Sequence, residues 1–219
     1  MTTAQERKKQ ERQARRRLIQ EAAREIFAAK GYAKTSIEQV AQRASLSVGA
    51  IYLYFRSKED LYMSLIEAPL TGLAAELAEF NARTEPHHGS PLRTSWSRLV
   101  DWATSDPENI VILRALAQPE VRSRLSTEVT EAVSDGLRRV SQALEASVVA
   151  GIETGLYRPV APTETADVLW SLFLGAFHAA DARKSVSLQG ASFEQSAQWA
   201  FEAIETGLRL APARVAEAA

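Results

Sequence analysis

The sequence predicts an all-α protein of about nine helices, a three-helix head at the N-terminus followed by a larger helical body. Three observations predict it. Apolar residues recur at i, i+3, i+4 and i+7 in one segment after another, no stretch alternates apolar and polar residues, and Ser, Thr, Pro and Gly stand where helices start and stop. The chain has 219 residues, 46% hydrophobic and 24% charged, enough to build an apolar core without a bias toward disorder.

The first helix is predicted over 10–29, where Ile19, Ala22, Ala23, Ile26 and Phe27 share one face, and Gly31 stops it. Thr35 or Ser36 caps a second helix, with Glu38 in its first turn and Ile37, Val40, Ala41 and Ala44 on its inner face. Ser45-Leu46-Ser47 leaves room only for a tight turn, and Ser47 caps a third helix over 48–55. Ser57-Lys58-Glu59-Asp60 supplies a cap and first-turn acids for a fourth, which runs to about residue 83 with a kink or split at Pro69. Residues 84–90, with Pro86 and Gly89, read as a loop, and His87 and His88 within it are given no chemical role. Pro91 opens a fifth helix to about 104, Pro107 a sixth to about 118, and a long seventh covers roughly 120–154 before Gly155. Thr163 or Thr165 starts an eighth that ends near 182, and Ser192 a ninth that fades by Pro212. The expected domains are 1–56 for the head, 57–211 for the body and 212–219 for a C-terminal tail.

Composition removes several function classes. The absence of cysteine excludes disulfides, thiolate metal sites and a cysteine nucleophile. Three histidines, no metal-ligand cluster, no Gly-rich phosphate loop and no nucleophile signature leave an enzyme nothing to work with, so no catalytic residue, metal or cofactor is expected. The N-terminus is charged where a secretory leader needs an apolar stretch, and no window reaches the ~18 apolar residues of a membrane span, so the expected location is the cytoplasm. The net charge of −1 hides a division, because residues 1–58 hold 13 Lys or Arg against 5 Asp or Glu and leave 13 against 22 for the rest. Arg7, Lys8, Lys9, Arg12, Arg15, Arg16 and Arg17 form a run that attracts a polyanion by Coulomb force and counterion release, or else stays a solvated basic tail.

The segment after that run favours the polyanion. A short turn between the second and third helices fixes them at a steep angle and exposes one face of the third, the geometry of a DNA reader. Ile37, Val40, Ala41, Leu46, Ile51 and Phe55 pack inside, which leaves Ser47, Val48, Ala50, Tyr52, Leu53 and Tyr54 more outward. Tyrosine hydroxyls hydrogen-bond phosphate oxygens, and small or apolar groups such as Val48, Ala50 and Leu53 touch thymine methyls in the major groove. Gly49 lets a backbone come close, either DNA or the helix beneath.

The string from Thr35-Ser36-Ile37 through Ala44-Ser45-Leu46-Ser47-Val48-Gly49-Ala50-Ile51-Tyr52-Leu53-Tyr54-Phe55-Arg56-Ser57-Lys58-Glu59-Asp60-Leu61 resembles the DNA-binding signature of TetR-type regulators. The resemblance extends back over 22–32 through the spacing of Phe27, Gly31 and Tyr32. It implies that Tyr52, Tyr54 and Lys58 hold phosphates, that Thr35 and Ser36 anchor the second helix to the DNA backbone, and that residues 47–53 face bases. Ser45 stands where the family often has a turn glycine, and Val48 where it often has a polar or basic residue, which implies a less polar base readout.

The same resemblance implies a C-terminal helical domain that dimerises and holds a small-molecule pocket. In the eighth predicted helix, Ala166, Leu169, Trp170, Phe173 and Phe177 form one apolar face and Leu172, Gly175, Ala176 and Ala179 another. A helix apolar on two faces is buried on both. One side serves the monomer core and the small side admits a partner helix across a two-fold axis, with Phe193, Ala197, Ala200, Phe201, Ile204 and Leu208 of the ninth helix as second stripe; alternatively, both stripes are used inside one monomer. Pocket candidates are Trp96, Trp102, Ile112, Arg114, Trp170, Phe173 and His178, each of which also fits a plain core role, or for Arg114 a pairing with a carboxylate. The expected protein is a homodimeric repressor on a palindromic double-stranded DNA operator, released by a small apolar or amphipathic effector. The alternative is a helical DNA-binding protein without a sensing role, and ligand-induced release separates the two.

Overall fold

The structure is a computed structural model that describes residues 3–82 and 90–210. Among these residues it contains eleven helices and no strand: α1 (Ala4–Lys34), α2 (Ile37–Arg43), α3 (Val48–Tyr52), α4 (Lys58–Ser64), α5 (Glu67–Ala82), α6 (Pro91–Ser105), α7 (Glu108–Ala115), α8 (Pro119–Arg122), α9 (Thr127–Glu153), α10 (Pro162–Ser185) and α11 (Phe193–Leu208). The loop expected over 84–90, apart from Ser90, and the tail expected over 212–219 lie outside the described residues.

The differences from the sequence expectation have local causes. α1 starts six residues early because Thr3 caps it: Glu6 N donates to Thr3 Oγ1 at 3.2 Å and Thr3 N donates back to Glu6 Oε2 at 2.6 Å. Near its other end Gly31 takes φ 75° and ψ 161°, a backbone region open essentially to glycine alone, and the helical path breaks there. The third helix is shorter than 48–55, although Phe55 N still donates to Ile51 O at 3.1 Å. The expected fourth helix is two, α4 and α5, and Pro69 sits in the first turn of α5, where a missing N–H costs no helical hydrogen bond. The expected seventh is also two, α8 and α9, because Ser126 caps α9 by accepting from Val129 N at 3.3 Å.

The chain divides into two compact units, one of Met1–Leu70 with Pro107–Gly136, the other of Thr71–Asp106 with Leu137–Ala219. The first contains the whole N-terminal head. Its core holds Ile19, Phe27, Val40, Ile51, Phe55 and Leu61, none more than 2% exposed. Each such side chain contributes about 1.5–3 kcal/mol through burial, so that together they far exceed the strain of any one turn in the head. In the second unit α10 packs along α11, and α11 against α6. Trp96 is buried there, stacked on Phe201 with ring centroids 5.4 Å apart and edge-on to Phe173 at 6.2 Å. The same unit buries polar groups that are mutually satisfied. Tyr157 donates to Glu205 Oε1 at 3.1 Å and shares a hydrogen bond with Ser90, while Arg93 and Arg209 reach Glu205 Oε2. Burial alone raises the Glu205 carboxyl, but hydrogen bonds from Ser90 and Arg93 outweigh it and hold the group below the usual carboxylate range.

Candidate nucleic-acid interface

The turn before α3 decides which face of α3 is offered to the outside. Leu46 N donates to Ala41 O at 2.9 Å and Ser45 N to Gln42 O at 3.1 Å, the paired bonds of a Schellman stop, with Ser45 in the left-handed region at φ 55°. Ser47 then caps α3, accepting from Ala50 N at 3.1 Å. α3 drives Ile51 and Phe55 fully into the core and turns Tyr52 and Leu53 out, 52% and 72% exposed. Ser47 and Gly49 are exposed, and Val48, Ala50 and Tyr54 are half-buried. A Cβ built on Gly49 would meet nothing closer than Ser47 Oγ at 4.0 Å. The helix beneath therefore makes no demand for glycine there.

Around α3 stand cations in two states. Arg12 of α1 places its guanidinium 5.2 Å from the Tyr54 ring centroid, and Lys58 Nζ lies 4.2 Å from that of Tyr32. Burial and the neighbouring Glu59 carboxylate push the Tyr32 phenol up to about 12, so it stays protonated against Glu59. Lys8, Arg12 and Arg15 line a groove along α1 that ends on Tyr54. Spaced four and three residues apart, they share one helical face. The basic run is thus an ordered helical stripe.

Two of the expected contacts are placed elsewhere. Arg16 turns inward, hydrogen-bonding both oxygens of Glu67 at 2.6 and 2.8 Å with Glu128 at 3.4 Å, and is spent inside the unit. Thr35 is 3% exposed and donates its hydroxyl to Gly31 O at 2.9 Å, so it ties the end of α1 to α2 from within. Ser36, half-buried, caps α2 reciprocally with Gln39, and the spacing Ser36-x-x-Gln39, rather than Glu38, is the capping signal in the sequence. Asp60 reads in the sequence only as a first-turn acid, yet it is fully buried and accepts from Arg56 N at 2.8 Å, Ser126 N at 2.7 Å and Ser126 Oγ at 2.9 Å. It locks the turn between α3 and α4 in place and is a positioning residue for the reading helix.

The pocket candidates do not form one group. Trp96, Trp170 and Phe173 come together in the second unit, with Trp170 stacked on Phe173 at 5.4 Å. Trp102 and His178 belong to that unit as well and are half-buried. Arg114 and Ile112 belong to the first unit, where Ile112 is core and Arg114 is exposed. Trp96 Nε1, Trp102 Nε1 and His178 Nε2 are buried atoms without a hydrogen-bond partner. Of the two faces of α10, one enters the core through Ala166, Leu169 and Phe173. The other is uncovered in the protomer, with Gly175 and Ala179 exposed and Leu172 and Ala176 half-buried. On α11, Phe193, Ala197, Phe201 and Leu208 are spent in the protomer core, while Ala200 and Ile204 are half-buried and Trp199 is 74% exposed. Among the described residues no cluster of three or more His, Asp or Glu could hold a metal, and no helix is long and apolar enough to cross a membrane.

The family profile "Bacterial regulatory proteins, tetR family" matches residues 19–65, the segment that carries α2, α3 and α4. The HTH-type transcriptional regulator YhgD of Bacillus subtilis is 26% identical over 160 residues, 73% of this chain and 81% of that protein. Two solved structures share the fold. SmeT, described as the repressor of a Stenotrophomonas maltophilia multidrug efflux pump, has a TM-score of 0.63 at 20% identity over 93% of this chain and 96% of its own. FadR of Bacillus subtilis, solved in complex with stearoyl-CoA, has a TM-score of 0.65 at 16% identity over 88% and 98%. Residues 19–65 thus match the DNA-binding segment of the tetR family of bacterial transcriptional regulators, the chain is similar over most of its length to a relative named as an HTH-type transcriptional regulator, and its fold is shared with solved members of that family.

Proposed function

We propose that the protein is a cytoplasmic repressor that binds a palindromic operator as a homodimer and is released by a small apolar or amphipathic molecule. The observation that carries this reading is the division of α3, with Ile51 and Phe55 fully buried and Tyr52 and Leu53 held out to solvent. In this reading Ser47, Val48, Gly49, Ala50 and Leu53 meet base edges in the major groove, and Tyr52, Tyr54, Lys58 and Ser36 meet phosphates. The functional head ends at about residue 56. Two heads reach successive major grooves, roughly 34–36 Å apart, and obstruct transcription by occupancy.

The release arm is supported by the second unit. Trp96 Nε1, Trp102 Nε1 and His178 Nε2 lack partners in an interior where unmet polar atoms are costly. A ligand with an apolar body and an oxygen acceptor relieves that cost, and the stearoyl-CoA held by FadR is a ligand of that amphipathic kind. The ligand shifts the head-to-head spacing only by as much as it prefers one state over the other. Fluorescence anisotropy with duplex DNA from the protein's own promoter tests the reading. Tyr52→Ala weakens binding by about tenfold while leaving the helical circular dichroism unchanged, as expected for loss of a phosphate hydrogen bond and its apolar ring. Equal affinity of the variant and the wild type removes α3 from the interface.

A further inference from the structure

Residues 47–53, which make up α3 and its two caps, contain no Arg, Lys, Asn, Gln, Asp or Glu. The side chains that read guanine, adenine or cytosine by paired or directed hydrogen bonds all come from that set. Two hydroxyls remain. Ser47 Oγ is engaged as the cap of α3, accepting from Ala50 N at 3.1 Å, and Tyr52 stands at the far end of the helix. The exposed polar side chains nearby, Glu38, Gln42 and Arg43, belong to α2, the helix that crosses the backbone, and Arg43 hydrogen-bonds Glu25 at 2.6 Å. The helix that the fold holds outward thus has little with which to read a base edge by hydrogen bonds.

Its apolar supply is better. Among the described residues the first unit exposes three large apolar side chains, Leu18, Tyr52 and Leu53, and Leu53 at 72% is the most exposed of them. Leu53 follows Ala50 by three residues and so shares its face. Leu18 lines the groove that ends on Tyr54, the next residue after Leu53, and Lys8, Arg12 and Arg15 line it as well. The unit therefore gathers its exposed apolar surface in one place and borders it with cations. A duplex has the complementary layout, with phosphates along the rims of a major groove in which the thymine C5-methyl is the apolar group on offer. We propose that α3 selects its operator through thymine methyl groups, with Leu53 as the specificity-determining residue and Val48 and Ala50 beside it. The half-site it prefers is rich in thymine where the helix lies. This preference presupposes that α3 faces DNA, and so rests on the regulator reading.

Fluorescence anisotropy with the full-length protein compares its own promoter in three chemical forms: ordinary DNA, DNA with deoxyuridine for thymidine, and DNA with 7-deazaguanine for guanine. Deoxyuridine keeps every hydrogen-bonding group of thymidine and deletes only the methyl. Each methyl no longer covered costs about fourfold, so one in each of two half-sites lowers affinity about fifteenfold. The 7-deazaguanine duplex lacks a major-groove acceptor that paired readers use, and its affinity changes by less than about twofold. Leu53→Ala removes nothing from the core, because the side chain is exposed, and leaves the helical circular dichroism unchanged. It narrows the thymine-to-uracil ratio to below about fivefold, since part of the methyl contact is gone. Equal affinity for the thymine and uracil duplexes, or a larger loss with 7-deazaguanine than with uracil, overturns methyl reading. A ratio that Leu53→Ala leaves at its wild-type value traces the preference to the DNA's own stiffness and overturns the role of Leu53. Binding of none of the duplexes at low ionic strength refutes the regulator reading, and this preference with it; tight and equal binding of thymine and uracil duplexes refutes the preference alone.

Discussion

Ser45 holds φ at 55° in the turn that aims the reading helix, a conformation that costs an L-residue about 1–2 kcal/mol and glycine almost nothing. The unfolded chain regains part of that difference, because glycine loses about 0.5–1 kcal/mol more backbone entropy on folding. Ser45→Gly therefore stabilises the protein by about 0.5–1 kcal/mol and raises the melting midpoint by a few degrees in a calorimetric scan; a lowered midpoint would contradict the left-handed turn. A second residue gives a pH signature. Burial and then the Glu205 carboxylate push the Tyr157 phenol up to about 12, against about 10 in an unfolded chain. The stability tied to its protonation is complete below pH 10 and is lost as pH rises from 10 to 12. Tyr157→Phe costs about 1–3 kcal/mol at pH 7 by leaving Glu205 and Ser90 short of a partner, yet it cannot ionise. Its deficit in urea denaturation narrows between pH 10 and 12, and a constant deficit would place Tyr157 outside the network.

At the scale of the element, α1 separates two kinds of arginine that look alike in the sequence. Arg7, Lys8, Lys9 and Arg12 face solvent, whereas Arg16, four residues after Arg12, is held by Glu67. Removing residues 1–13 is therefore expected to take away the proposed phosphate partners without opening the unit. The slope of log affinity against log salt flattens by about 0.9 for each phosphate no longer neutralised, read by anisotropy from low to moderate salt. Arg16→Ala has the opposite profile, costing about 1–3 kcal/mol of folding stability and leaving the salt slope in place. Flattening of the slope by Arg16→Ala would put that side chain on DNA. The same helix shows what sequence can and cannot reveal. The faces of α1, α2 and α3 and their Ser caps are written locally, in spacings of three and four residues, and so are legible. The inward turn of Arg16 and the clamp at Asp60 depend on partners 51 and 66 residues away, and no local pattern encodes them. Arg114 escapes sequence reading for the same reason, since an apolar run around it says that the helix is buried but not against what.

For the whole molecule, the face that α10 and α11 leave uncovered is the feature that a single protomer does not explain. Trp199 at 74% exposure and Val168 at 48% stand with the exposed small residues Gly175 and Ala179. In the proposed homodimer, a two-fold axis through such a face would bring each small stripe against its own copy, so that helices approach closely and the tryptophans become buried anchors. The protomer loses nothing if a charge is placed there, because Ala179 already faces solvent, but the dimer acquires two like charges near one axis. Ala179→Glu is therefore expected to sediment as a monomer with unchanged helical circular dichroism. Its consequence on DNA comes from linkage of two heads: a dimer gains about 10²–10⁴ in affinity from engaging both half-sites at once. The variant should bind a two-half-site duplex about as weakly as a single half-site, with the difference that the wild type shows between the two duplexes erased. A variant that still sediments as a dimer would move the interface off these two helices, since a carboxylate pair at a close helix contact is not tolerated where no water reaches it.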